Sequence, residues 1–288
     1  MKFWQSVTFS QPEELLDVAR ISEDVGFTGV FVSEHVFFPE TLASKYPYTP
    51  NGAPPFTAET PWLDPWVQIA AMAAVTKTLR FVTGVYILPL RHPLEVAKSV
   101  ASVALLSGDR VGVGVGVGWM REEFDVLGRE FAARGKRMDE QIEVLREVWK
   151  GGMVEHHGAY YDFPRLQMSP APRLSPPILI GGQSEAAFKR AARLGDGWVG
   201  SGHAPEQVLG VMQRLQQLRR EAGREREPFD AVLVLSAPPV IDELKRFEDA
   251  GVTSFVSWPL LFTVGPQASL EAKRRHLETY AEQVIRRM

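Results

Sequence analysis

The 288-residue chain contains no cysteine, which excludes disulfides, thiolate metal sites and a cysteine nucleophile and suits a reducing compartment. Long apolar runs are missing too. No stretch approaches the roughly 18 apolar residues of a membrane helix, and the opening "MKFWQSVTFSQPEELLD" turns polar without the apolar core of a signal peptide. Charge of one sign is also lacking: 32 basic against 35 acidic residues leave −3, so nothing calls for nucleic acid or a membrane surface. No GK[ST] phosphate loop occurs, and the adjacent His156 and His157 are poorly placed to chelate one ion, so no metal site is expected. These absences lead to the expectation of a cytoplasmic protein.

The composition that remains, 45% apolar and 23% charged, is that of an ordinary globular chain. Short apolar runs alternate with helical patterns throughout, the signature of βα units around a parallel sheet. Eight strands are expected, at 3–9, 29–33, 80–88, 111–118, 177–182, 197–200, 231–236 and 253–258. Helices follow them. "SQPEELLDVARISEDVG" offers a serine cap, an early proline, apolar residues at helical spacing and a closing glycine, and "PLEVAKSVASVALLSG" and "SEAAFKRAARLG" repeat that pattern. The fold class expected is α/β, a single (β/α)8 TIM barrel domain over 1–288. It carries insertions after strand 2 (34–63) and between strands 4 and 5 (151–177, after an extra helix at 134–150). The first insertion falls on the rim where barrels keep their chemistry; the second is expected to form a hairpin lid or edge.

Within "VGVGVGVG", Val111, Val113, Val115 and Val117 share one strand face and Gly112, Gly114, Gly116 and Gly118 the other. A bare face toward the barrel axis either lets a flat ligand approach the backbone, most readily at Gly116 and Gly118, or receives large neighbours. A second glycine signal lies in "PPILIGGQSEAAFKRAARLGDGWVGSG". There Gly181, Gly182, Gln183 and Ser184 lead from a strand into a helix whose N-terminus suits an anion, with Gly200 and Ser201 on the next loop. The alternative is a glycine turn with a serine cap that only starts a helix.

Taken in order, "VSEHV" (32–36), "TGVYILPLRHPLEVAKSVASVALLSGDRV" (83–111), "GVGVGWMREEFDVLG" (114–128), "PPILIGGQSEAAFKRAARLGDGW" (176–198) and "GVTSFV" (251–256) resemble the luciferase-like monooxygenase superfamily. The resemblance is strongest to its coenzyme F420-dependent oxidoreductases and spans nearly the whole chain. It implies a (β/α)8 barrel, a flavin or deazaflavin at the C-terminal mouth, and a homodimer. It places His35 beside the reacting edge of the ring as acid, base or hydrogen-bond donor, with Glu34 either orienting it or capping a loop. It also implies a non-proline cis peptide at Gly84–Val85, a plain glycine bulge being the alternative. Gly116 and Gly118 would then give the ring room, and Gly181, Gly182, Gln183, Ser184, Gly200 and Ser201 would hold its phosphate.

One departure is informative. Where the family's sugar-phosphate dehydrogenases carry a catalytic glutamate this chain has Trp119, which argues against such a substrate and leaves Trp119 as pocket wall or core. Trp4, Trp62 and Trp66 are read as core or pocket wall. Arg121, Glu122 and Glu123 are expected on an exposed helical turn. His92 and His203 are expected on exposed rim loops, His203 near the phosphate. The function implied is hydride transfer between F420 and a small organic substrate. The alternatives are an FMN-dependent monooxygenase using O₂, or a flavin-binding protein without turnover.

Overall fold

The computed structural model describes residues 1–236 and 240–288. Its strands are β1 (Lys2–Ser6), β2 (Gly29–Val32), β3 (Arg80–Thr83), β4 (Tyr86–Ile87) and β5 (Val111–Gly116), then a hairpin of β6 (Met153–His157) and β7 (Asp162–Gln167), then β8 (Ile178–Gly181), β9 (Gly197–His203), β10 (Asp230–Leu235) and β11 (Ser254–Ser257). The hairpin apart, they form one parallel sheet in the order β3-β2-β1-β11-β10-β9-β8-β5-β4, which a β3–β5 pairing closes. The expected eight staves result because β3 and β4 are two halves of one.

The strand read as continuous over 80–88 breaks at Gly84–Val85, whose peptide is cis. Below the break Val82 pairs with Gly112, and above it Ile87 pairs with Gly116. The Thr83 hydroxyl bridges the two pairings by donating to the Gly114 carbonyl at 2.8 Å.

The surrounding helices are α1 (Leu15–Val25), α2 (Pro65–Val75), α3 (Pro93–Ser107), α4 (Arg121–Val126), α5 (Arg134–Trp149), α6 (Glu185–Leu194), α7 (Val208–Glu221), α8 (Ile241–Asp249), α9 (Leu260–Thr263) and α10 (Leu270–Gln283). Their ends follow local chemistry. The Asp64 carboxylate accepts from the Trp66 and Val67 N–H groups to start α2, and Gly26 and Gly108 close α1 and α3 in the left-handed conformation. The serine cap expected for α1 is not used, because the chain enters through a 3₁₀ turn at Pro12–Glu14 capped at Gln11. His92, read as an exposed rim residue, caps α3 by accepting the Leu94 N–H at 3.2 Å. Among the described residues no helix is long and apolar enough to cross a membrane.

Two apolar layers result. Outside the strands the helices bury Val111, Val113 and Val115 with residues such as Ile69, Val100, Met138 and Ile142. Inside, Trp4, Phe31, Val82, Leu179, Val199, Val232 and Val256 fill the barrel, one from each stave but β5. That stave contributes glycines instead. Side chains in β5 therefore alternate as read, valine outward and glycine inward, yet the glycine face is largely covered. A Cβ on Gly114 would lie 1.9 Å from the Thr83 carbonyl oxygen, and one on Gly116 2.5 Å from Val85. Only the upper end of the strand faces open space.

The 151–177 insertion does form a hairpin, but not a lid. Its turn is held outside the barrel by Glu140 of α5, whose carboxylate accepts the N–H groups of Ala159, Tyr160 and Tyr161. None of its residues reaches the cavity at the barrel mouth.

Candidate active site

A cavity of about 600 Å³ opens where the strands end, the face on which barrels of this type place their chemistry. Its floor is the β3–β4 break. A Cβ on Gly84 would lie 1.6 Å from the Phe31 ring, while Val85 projects over the bare Cα atoms of Gly116 and Gly181. A chain of hydroxyls fixes this floor: Ser6 donates to Thr8 at 3.1 Å, Thr8 to Ser33 at 2.9 Å, and Ser33 to the Gly84 carbonyl at 2.8 Å.

The roof comes from the 34–63 insertion. Glu122 at the start of α4 accepts the N–H groups of Ala43 and Ser44 at 2.7 and 2.9 Å, and the Ser44 hydroxyl accepts the Arg121 N–H at 3.0 Å. Latched in this way, the loop places Tyr46, Tyr48, Phe56 and Trp62 on the cavity beside Trp119. Trp62 and Trp119 are thus pocket wall, whereas Trp4 is barrel core and Trp66 packs outside against Tyr86.

His35 sits between floor and roof. The Phe56, Trp62 and Trp119 rings surround it at centroid distances of 4.7, 5.3 and 5.6 Å. Its Nδ1 lies 3.3 Å from the Glu123 carboxylate, which also accepts the Val36 N–H at 2.7 Å. That contact holds the Nδ1 proton, so Nε2, which has no protein partner among the described residues, is the atom left to accept.

This corrects two expectations. Glu123 is fully buried rather than exposed, and it, not Glu34, orients His35. Sequence reasoning missed it because Glu122 and Glu123 look alike as a solvated first turn. The available signal was spacing: Met120, Glu123 and Phe124 are all buried, an i, i+3, i+4 inward stripe.

Glu34 lines the cavity but turns its charge to Arg91, another residue the sequence did not single out. The guanidinium donates to the two carboxylate oxygens at 2.7 and 2.5 Å, and the Ile87 N–H adds a third bond at 2.7 Å. Burial pushes the Glu34 carboxyl up, against the pull of Arg91 and that N–H. The pair fastens β4 above the break, with the Arg91 guanidinium 4.4 Å over the Tyr86 ring.

At the opposite end lie Gly181, Gly182, Gln183 and Ser184. Gly182 takes φ +128°, which only glycine adopts readily, and its carbonyl accepts the Trp198 indole N–H at 2.8 Å. Ser184 caps α6 through the Ala187 N–H at 3.2 Å. The N–H groups of Gln183 and Ser184 meet no acceptor among the described residues and stand at the positive end of the α6 dipole. The Gln183 amide bonds the Ser201 carbonyl, tying this turn to the next.

Ser201 lines the cavity; Gly200 does not. A Cβ on Gly200 would fall 2.0 Å from the Trp198 ring, so this glycine makes room for core packing, and Gly202 takes its place at the cavity. His203, expected to be exposed, is 5% exposed beneath this turn, with Nε2 unpartnered among the described residues and Trp198 5.4 Å away. Burial pulls its imidazole below the ordinary range. Among the described residues no cluster of three or more potential ligands for a metal occurs; His156 and His157 turn to Glu140 and Asp162 instead.

Residues 3–254 match the luciferase-like monooxygenase family. An uncharacterized protein of Mycobacterium tuberculosis is 40% identical over 96% of this chain and 98% of its own length. An F420-dependent glucose-6-phosphate dehydrogenase of Amycolatopsis mediterranei is 29% identical over 96% of this chain and 76% of its own. In structure, an F420-dependent secondary alcohol dehydrogenase superposes with a TM-score of 0.77 at 18% identity, over 99% of this chain and 98% of that one. At 20% identity, monooxygenase RslO1 of Streptomyces bottropensis reaches 0.78 over 100% and 99%. The chain belongs to the luciferase-like monooxygenase family and is an oxidoreductase.

Proposed function

We propose that the protein is an F420-dependent oxidoreductase that passes a hydride between the deazaflavin and a small organic substrate, with His35 handling the accompanying proton. The observation that carries this is one cavity with three matched parts: a flat floor in which Gly84, Gly116 and Gly181 leave room for Phe31 and Val85, and, without a partner among the described residues, the amides of Gln183 and Ser184 and the imidazole Nε2 of His35. The floor suits a flat ring. The amides suit a phosphate, held by the positive end of a helix without any lysine or arginine. The 29% identical F420-dependent relative supports the deazaflavin over FMN.

When bound, the deazaflavin supplies two-electron hydride chemistry, and carbon rather than nitrogen at ring position five suppresses reaction with oxygen. The protein does the rest. Glu123 keeps the Nδ1 proton, so His35 Nε2 takes up or returns the proton of the substrate oxygen. The aromatic roof excludes water, and the Glu34–Arg91 pair and the hydroxyl chain hold the floor in shape. Trp119 offers no carboxylate for the acid role of the sugar-phosphate dehydrogenases.

Titration of the purified protein with F420 and with FMN, followed by tryptophan fluorescence, tests this reading. F420 is expected to bind tightly and His35→Ala to keep that binding while losing about 10²- to 10⁴-fold in turnover. Tight FMN binding without F420 binding rejects it in favour of the oxygen-using alternative.

A further inference from the structure

We infer that the substrate is an uncharged molecule with a flat or cyclic hydrocarbon body and a single oxygen function, held under the aromatic roof beside His35. This rests on the proposed function in one respect, that the amide end of the cavity is taken by the cofactor.

The roof is a connected set of rings rather than scattered apolar residues. Trp119 meets Tyr46 edge-on at 5.2 Å, Tyr46 meets Tyr48 at 5.2 Å, Phe56 meets Trp62 at 5.2 Å, and Phe9 meets Trp62 at 5.5 Å. Edge-to-face packing fixes each ring through its neighbours, so their faces form a preorganised apolar wall. Charge is missing from it. Among the described residues that line the cavity there is no lysine or arginine, and the one carboxylate, Glu34, is already neutralised by Arg91.

Burial holds the Tyr46 phenol up at about 12, so it stays neutral and adds no charge of its own. A substrate carboxylate or phosphate under this roof would lose its water and find no lysine or arginine among the described lining residues to offset its charge, a large penalty. A hydrocarbon body loses nothing there, and one carbonyl or hydroxyl oxygen finds His35 Nε2 or a tyrosine hydroxyl. Glucose 6-phosphate has the opposite character, with a charged end and few apolar faces.

Calorimetric titration of the whole protein, with and without bound F420, separates the possibilities. The probes are 2-acetylnaphthalene, its 6-carboxylate derivative and glucose 6-phosphate. The neutral ketone should bind at least about tenfold more tightly than its carboxylate, and glucose 6-phosphate should not bind the F420-loaded protein. Trp119→Ala and Phe56→Ala should each weaken ketone binding roughly 2- to 10-fold, with folding checked by circular dichroism. The wild-type comparison stands even if a variant fails to fold.

Equal or tighter binding of the carboxylate or of glucose 6-phosphate to the loaded protein, or no ketone binding, overturns the inference while leaving F420 binding intact. Preference for the ketone in a protein that does not take F420 overturns the cofactor assignment instead.

Discussion

Alanine substitution along β5 should give three different outcomes from three identical-looking glycines. At Gly112 a new Cβ meets Val82, Leu179 and Pro177 at 3.5 Å or more, ordinary contact. Gly112→Ala should therefore be neutral or stabilising by up to about 1 kcal/mol, since alanine restricts the unfolded chain more than glycine does. At Gly114 the Cβ falls 1.9 Å from the Thr83 carbonyl, which cannot rotate away, so Gly114→Ala should cost about 3 kcal/mol or more. Gly116→Ala meets a side chain instead, Val85 at 2.5 Å, and overpacking there should cost about 1–3 kcal/mol. The same clash pushes Val85 into the cavity floor, so F420 binding should weaken too. For a chain this long each kcal/mol moves Tm by about 2–4 °C, within reach of calorimetry. Adding Val85→Ala to Gly116→Ala should recover part of the loss in both stability and F420 affinity, whereas it should not rescue Gly114→Ala. Equal effects at Gly112 and Gly114, or strict additivity of Gly116→Ala with Val85→Ala, would refute the assignment of these glycines to separate packing duties.

Three further outcomes are expected. Glu123→Gln should leave F420 binding in place but lower turnover at least about tenfold and change its pH profile, because an amide facing Nδ1 no longer fixes the imidazole tautomer; an unaltered profile would make Glu123 a purely structural residue. Arg91→Ala strands the buried Glu34 carboxylate and should cost about 3–5 kcal/mol near neutral pH. Because burial already pushes that carboxyl up, the deficit should shrink in acid as Glu34 takes a proton, readable as converging melting curves. His203 has its pKa lowered by burial in the folded protein. The unfolded chain therefore binds the extra proton first, and stability should decline as pH falls below the ordinary imidazole value of about 6.5. His203→Phe should flatten that slope but not abolish it, because burial lowers His276 in the same direction.

The barrel was legible because its signals are local. Eight apolar runs, capped helices and closing glycines each announce themselves within a few residues, and Gly84–Val85 and the Gly181–Ser184 turn carried the family pattern. What escaped depends on distance. Glu123 acquires its role only when α4 folds back on a histidine 88 positions earlier, and a glutamate beside another glutamate on a helix looks solvated until its inward stripe is noticed. Arg91 lies 57 positions from Glu34, so nothing local marked it as the partner of a glutamate read as orienting His35 or capping a loop. His203 and Gly200 were misjudged for one reason: β9 runs on to His203, so residues taken for a rim loop are strand, and Trp198 beneath them claims the space. Most of the aromatic roof lay in an insertion without periodicity, where only the latch to Glu122 reveals which rings turn inward.

A crystal of the protein soaked with oxidised F420 would show where ring and phosphate lie. The deazaflavin ring is expected against Val85 with its reacting edge near His35 Nε2, and the phosphate on the Gln183 and Ser184 amides. A ring lodged elsewhere, or a phosphate bound away from the start of α6, would contradict the proposed function.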